Sequence, residues 1–170
     1  MTRIYLDHNA TTPVRPEALE AMLPFLTEKH GNASSQHAFG REAREAVESA
    51  RDRVAHAINA QPSEIAFVSG GTEADNLALR GVMTAARRSG KKHLIVTAIE
   101  HHAVLETAEA LEHEGCSVTV VGADNTALVA PEEVVRALRE DTALVSVMLA
   151  NNETGTLEPV GEIASRVREA

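Results

Sequence analysis

A chain of 170 residues, 44% hydrophobic and 24% charged, can bury one real core and is short for two domains. Its net charge of -9 argues against nucleic acid and anionic membranes as partners, and 2% aromatic residues leave little for base stacking. No apolar run reaches bilayer-spanning length, the opening MTRIYLDHNATTP lacks a charged-then-apolar leader, and the one cysteine, Cys116, excludes an internal disulfide; a cytoplasmic domain is expected.

A short apolar start, Ile4 to Leu6, gives way to the polar turn DHNATTPVRP. Ala18 to Phe25 has helical spacing and ends near His30 and Gly31. The loop GNASSQHAFG then leads into Arg41 to Ile58, where Ala43, Val47, Ala50, Val54 and Ile58 recur at steps of three and four, the mark of an amphipathic helix. From there the pattern alternates. Strands are predicted at Ile65 to Val68, Leu94 to Ala98, Ser117 to Val121 and Ala143 to Ala150, the last an apolar run suited to burial on both faces. Helices are predicted between them at Glu73 to Arg87, Val104 to His113 and Pro131 to Arg139. Such alternation implies βαβ units and an α/β fold with a mostly parallel sheet flanked by helices. PVGEIASRVREA opens like a helix, with Pro159 near its first turn, and stops without a C-terminal glycine or a following strand. The expectation is a chain that continues in a further portion.

Ligands of open parallel sheets gather at the carboxyl ends of the strands. Three predicted strands end in polar clusters: SGGTEADN, IEHHAV and NNETG. In the first, Gly70 and Gly71 allow close backbone approach, and the helix start at Thr72 favours an anion. Neither the Walker pattern nor the dinucleotide fingerprint is present. A plain cap, with Thr72 as N-cap and Asp75 three residues on, explains the same residues equally well. In the second, His101 and His102 point apart and make a poor metal pair, and no metal site is expected. One of them can serve in ring stacking or proton transfer, or simply lie on the surface. In the third, Asn151 and Asn152 suit a turn, and also suit hydrogen bonds to a ligand. Cys116 lies at the opposite edge, before a strand, where a free cysteine is expected to be a small buried hydrophobe.

These clusters, in this order, resemble the cysteine desulfurases, pyridoxal-phosphate enzymes of the class V branch of the aminotransferase-like fold. The resemblance runs almost end to end, through YLDHNATTPV, GNASSQHAFGREAREAVESAR, IAFVSGGTEADNLAL, EHHAVLETAEALEHEG and DTALVSVMLANNETGTLEPV. DHNATTP, SSQH…GR and GTEADN are closest to the branch serving iron–sulfur and nitrogenase cluster assembly. One departure is Ala33, where the family commonly has Pro. The resemblance implies a fold type I large domain over residues 16–170, incomplete here, preceded by a segment, 1–15, near the substrate entry. It implies that pyridoxal 5'-phosphate is held through its phosphate by the backbone at Gly71 and Thr72 and by the Thr72 hydroxyl. His101 is implied to stack on the pyridine ring and assist proton transfer, and Asn152 to bond the ring hydroxyl and help place the substrate.

The implied reaction turns L-cysteine into L-alanine and leaves the sulfur as an enzyme persulfide. The family's Schiff-base lysine, its aspartate on the pyridine nitrogen and its persulfide cysteine fall beyond Ala170. Lys29, Lys91 and Lys92 match none of these positions, and Cys116 does not match the catalytic cysteine. The resemblance therefore implies partners: a C-terminal portion of the same enzyme, a homodimer mate, and an iron–sulfur scaffold or other sulfur acceptor. A non-catalytic remnant, or a related pyridoxal-phosphate lyase or transaminase, are the rival readings.

Overall fold

Residues 3–170 are described by the computed structural model, in two units, one ending at Phe67 and one spanning Val68–Ala170. The first unit holds helices α1 (Pro16–Thr27) and α2 (Ala38–Ala57) and a short 3-10 turn, Pro62–Glu64. Pro16 opens α1, where a missing N–H costs nothing. None of its residues is buried, and Leu19, Met22, Leu23, Phe25 and Leu26 are all exposed. The loop between the helices is drawn tightly onto α2. A Cβ on Gly31 would stand 2.3 Å from the Phe39 carbonyl oxygen, and one on Gly40 2.4 Å from that of Ser35. Only glycine fits at these two positions. Arg44 donates from Nε to the Ala33 carbonyl at 2.7 Å, and His37 Nδ1 caps α2 by accepting from the Gly40 N–H.

The second unit is a three-layer α/β arrangement. Its elements are α3 (Gly71–Ala86), β1 (His93–Thr97), α4 (His102–His113), β2 (Ser117–Val121), α5 (Pro131–Arg136), β3 (Thr142–Ser146) and α6 (Val160–Glu169). The three strands are parallel in the order β2-β1-β3. Every residue of the central strand β1 is buried. Alternation along it feeds two cores. Leu94 and Val96 pack with Leu79 and Met83 of α3, with Val104, Ala108 and Leu111 of α4, and with Cys116. Ile95 packs on the other face with Val121, Val129, Val134 of α5 and Ile163 of α6. Among the described residues no helix is long and apolar enough to cross a membrane.

Three expectations need correction. Ile65 to Val68 forms no strand. The Ile65 carbonyl accepts from the Arg51 guanidinium, whose carbon lies 5.0 Å from the Phe67 ring centroid, and both sides of β1 are already taken by β2 and β3. A strand is defined by its ladder, and this segment has none. The run from Ala143 onward is not buried on both faces. β3 ends at Ser146 with all five residues half-buried, because it is the sheet's edge, and Leu149 beyond it is exposed. The start of α3 also differs: its N-cap is Gly70, so Thr72 lies inside the first turn and caps nothing.

Candidate active site

The parallel register sends the carboxyl ends of β1 and β3 to one edge, and the loops that follow them build the site. After β1 the chain turns through Ala98–Glu100 into α4. His101 is the N-cap of that helix, and its Nδ1 accepts from the Ala103 N–H at 3.1 Å. That bond assigns the proton of the neutral ring to Nε2, leaving Nε2 as a donor on an exposed side chain. His102 stands beside it with ring centroids 6.2 Å apart and planes at 65°.

After β3 the chain makes the NNETG loop, closed by the bridge between Ala150 and Leu157. Asn151 builds the turn. Its Oδ1 accepts from the N–H groups of Glu153 and Thr154, both at 2.9 Å, and its Nδ2 donates to the Ile99 carbonyl at 3.0 Å. The neighbouring Asn152 is exposed. Of the two uses open in sequence, Asn151 serves the turn.

The third segment is the N-terminus of α3. Gly70 offers no side-chain cap, and a Cβ on Gly70 or Gly71 would meet nothing within 4 Å, so the first turn opens onto free space. Gly71 and Thr72 are both exposed there. Glu73 folds back to accept from the Ser69 hydroxyl at 2.6 Å and the Ser69 N–H at 2.7 Å. Those bonds hold its carboxyl below the ordinary value. They also engage both Ser69 donors, while the backbone N–H groups of the first turn, those of Gly71 and Thr72 among them, have no side-chain cap.

One turn along α3, Asp75 lines a cleft of about 420 Å3 with Val82, Glu100, His101, Val104 and Met148. Glu100 is the residue that reading the sequence for histidines passed over. It is buried, with Oε1 accepting from Thr97 Oγ1 at 3.2 Å and Ser146 Oγ at 3.4 Å. Burial pushes its carboxyl above the ordinary value; the bonds from Thr97, the Met148 N–H and Ser146 hold the rise back, and Asp75 adds to it. The available signal was an acid closing the mostly apolar run LIVTAI, three residues after the end of β1.

The opposite edge carries different chemistry. Cys116 precedes β2 and is buried in the α3–α4 core, as a small hydrophobe should be, with Arg87 Nη2 3.3 Å from its sulfur. Lys91 and Lys92 precede β1 and share that edge, where the Lys91 amine donates to the Thr142 carbonyl.

A parallel α/β sheet with its polar loops gathered at the strand carboxyl ends defines a domain of the ligand-binding doubly wound type. The chain belongs to the class-V aminotransferase family, whose model matches residues 4–170. It is 51% identical over 166 residues to the cysteine desulfurase IscS of Dictyoglomus turgidum, covering 98% of this chain and 42% of that protein. The cysteine desulfurase IscS of Methanosarcina thermophila is 48% identical over 166 residues, with 98% and 41% covered. Among solved structures, a NifS-like protein aligns with a TM-score of 0.94 at 42% identity, over 99% of this chain and 46% of that one. SspA in complex with cysteine aligns with a TM-score of 0.91 at 36% identity, over 97% and 47%. The chain thus spans less than half the length of the relatives it matches.

Proposed function

We propose that this chain is the N-terminal part of a pyridoxal-phosphate-dependent cysteine desulfurase that supplies sulfur for iron–sulfur cluster assembly. The observation that carries the reading is the convergence of the loops after β1 and β3 on one sheet edge, in a chain 51% identical to a cysteine desulfurase over 98% of its length. The donor set at α3 fits a phosphate: two N–H groups and one hydroxyl, at an open helix terminus free of a side-chain cap. Pyridoxal phosphate, when bound, supplies the electron sink that lets the carbon–sulfur bond of L-cysteine break.

The chain's own residues bind and orient. Gly71 and Thr72 hold the phosphate through the backbone and the Thr72 hydroxyl. His101 would stack its ring on the cofactor and would offer its Nε2 proton. Asn152 bonds the ring hydroxyl and places the substrate. In the balance of the reaction, L-cysteine and an enzyme thiol give L-alanine and an enzyme persulfide. The lysine and the thiol come from the remaining length of the family's chains, so the active assembly contains a C-terminal portion, pairs with a second copy, and hands sulfur to an acceptor protein.

The test has two arms. Phosphorus NMR of pyridoxal phosphate mixed with the chain should show binding that weakens about tenfold in Thr72→Val, the loss of one charge-assisted bond. Alanine release from L-cysteine should require the C-terminal portion, and His101→Ala should slow it at least a hundredfold. Unchanged turnover in His101→Ala would remove the role assigned to that ring. Binding without any turnover in the completed assembly would favour a cofactor-holding remnant.

A further inference from the structure

We propose that Glu100 and Asn151 form a reciprocal clamp that positions His101 and Asn152 relative to one another, a role that rests on the functions proposed above for those two residues. Each member stands one residue before a site residue and reaches into the other's segment. Asn151, next to Asn152, donates from Nδ2 to the Ile99 carbonyl, two residues before His101. Glu100, next to His101, accepts from the Ser146 hydroxyl at the end of β3, the strand that leads to Asn152. The two bridges run in opposite directions between the same pair of loops.

Neither bridge is a surface ornament. Glu100 is 8% exposed, and its carboxyl also takes the Thr97 hydroxyl at the end of β1, so one buried group joins the ends of two adjacent strands. In that setting the carboxyl has little water to fall back on, so losing either hydroxyl leaves a buried acceptor short of partners. Asn151 has both ends of its amide committed: Oδ1 to the turn, Nδ2 to the far loop. A shift of either loop must break bonds at both bridges. That matters for catalysis, because an error of about 1 Å in the placement of reacting groups costs on the order of a hundredfold in rate.

A residue that merely shapes its own turn can be told apart from one that also clamps. Asn151→Asp keeps the Oδ1 acceptor for Glu153 and Thr154 but replaces the Nδ2 donor with an oxygen facing the Ile99 carbonyl. Asn151→Ala loses both functions. Nitrogen-15 NMR of the full chain reports the His101 ring directly, without cofactor or turnover. The clamp requires that Asn151→Asp displace the His101 ring resonances as Asn151→Ala does, and that Glu100→Gln move the Asn152 side-chain amide. In the enzyme completed by its C-terminal portion, Asn151→Asp should lower kcat about tenfold with KM within twofold. Wild-type His101 resonances in Asn151→Asp would overturn the clamp and leave Asn151 a turn residue. Displaced resonances with unchanged turnover in His101→Ala would instead keep the clamp's geometry and remove the reading of the site on which its purpose rests.

Discussion

Replacing His93 by alanine probes the middle of the sheet, away from the site edge. The ring is fully buried in β1, with Nδ1 2.8 Å from Thr142 Oγ1 on β3 and Nε2 2.8 Å from Thr119 Oγ1 on β2. Thr142 Oγ1 also accepts from the Arg139 N–H at 2.8 Å. The neutral ring carries one N–H, so it donates to one of the two threonines and accepts from the other. Two neutral hydrogen bonds contribute about 1 kcal/mol each, net of water. Emptying a closely packed site of an imidazole, smaller than a phenyl ring, adds about 2 kcal/mol more, the low end for truncating a large buried side chain to alanine. The sum, about 4 kcal/mol, is a large part of the 5–15 kcal/mol of a typical domain.

Urea unfolding of the chain should therefore show a midpoint shifted far down with little change in slope. A loss below about 1 kcal/mol would refute the bridging geometry. The pH dependence supplies a second check. Burial lowers the affinity of the ring for its proton, the positive charge of Arg139 lowers it further, and Asp141 opposes them. Below the ordinary value of 6.5, the unfolded chain binds a proton that the folded chain resists. Stability from this group is then fully present above about pH 6.5 and is lost as the pH falls from there. His93→Gln, which keeps one bond and cannot titrate, should flatten that slope.

Two smaller changes test local readings. Ala127 holds a left-handed φ of 62° in the loop after β2, where the Asp124 side chain gathers the N–H groups of Thr126 and Leu128. Ala127→Gly relieves about 1–2 kcal/mol of steric cost and returns part of it as unfolded-chain entropy, so the melting temperature should rise by a few degrees; a fall would mean the loop relaxes in some other way. Cys116→Ala removes one buried sulfur and should cost about 1 kcal/mol of stability while leaving alanine release from L-cysteine by the completed enzyme nearly intact. A dead enzyme would contradict the placement of that sulfur in the core, at the edge opposite the loops.

What could be read from the sequence, and what could not, divides along the distance between partners. Ser117 to Val121 matches β2 residue for residue, and the helix predicted from Val104 differs from α4 only at its first turn, because apolar spacing within one element is a local signal. The polar clusters after β1 and β3 were legible for the same reason, since each follows directly on an apolar run. The failures involve partners far along the chain. Ile65 to Val68 has the composition of a strand, yet its fate is decided by Arg51, 14 residues away. β3 looked buried on both faces because hydrophobicity does not say which strand lies at an edge. Glu100 drew no attention in sequence because its meaning depends on Ser146, 46 residues on, just as that of Asn151 depends on Ile99, 52 residues back. The residues that carry local chemistry announce themselves by type and position. Those that hold such residues in register are ordinary polar side chains until the fold brings their partners within about 3 Å. On the proposed clamp, a chain that kept His101 and Asn152 but lacked Glu100 and Asn151 would keep the look of this site but not its fixed spacing, and this is the difference that the Asn151→Asp comparison isolates.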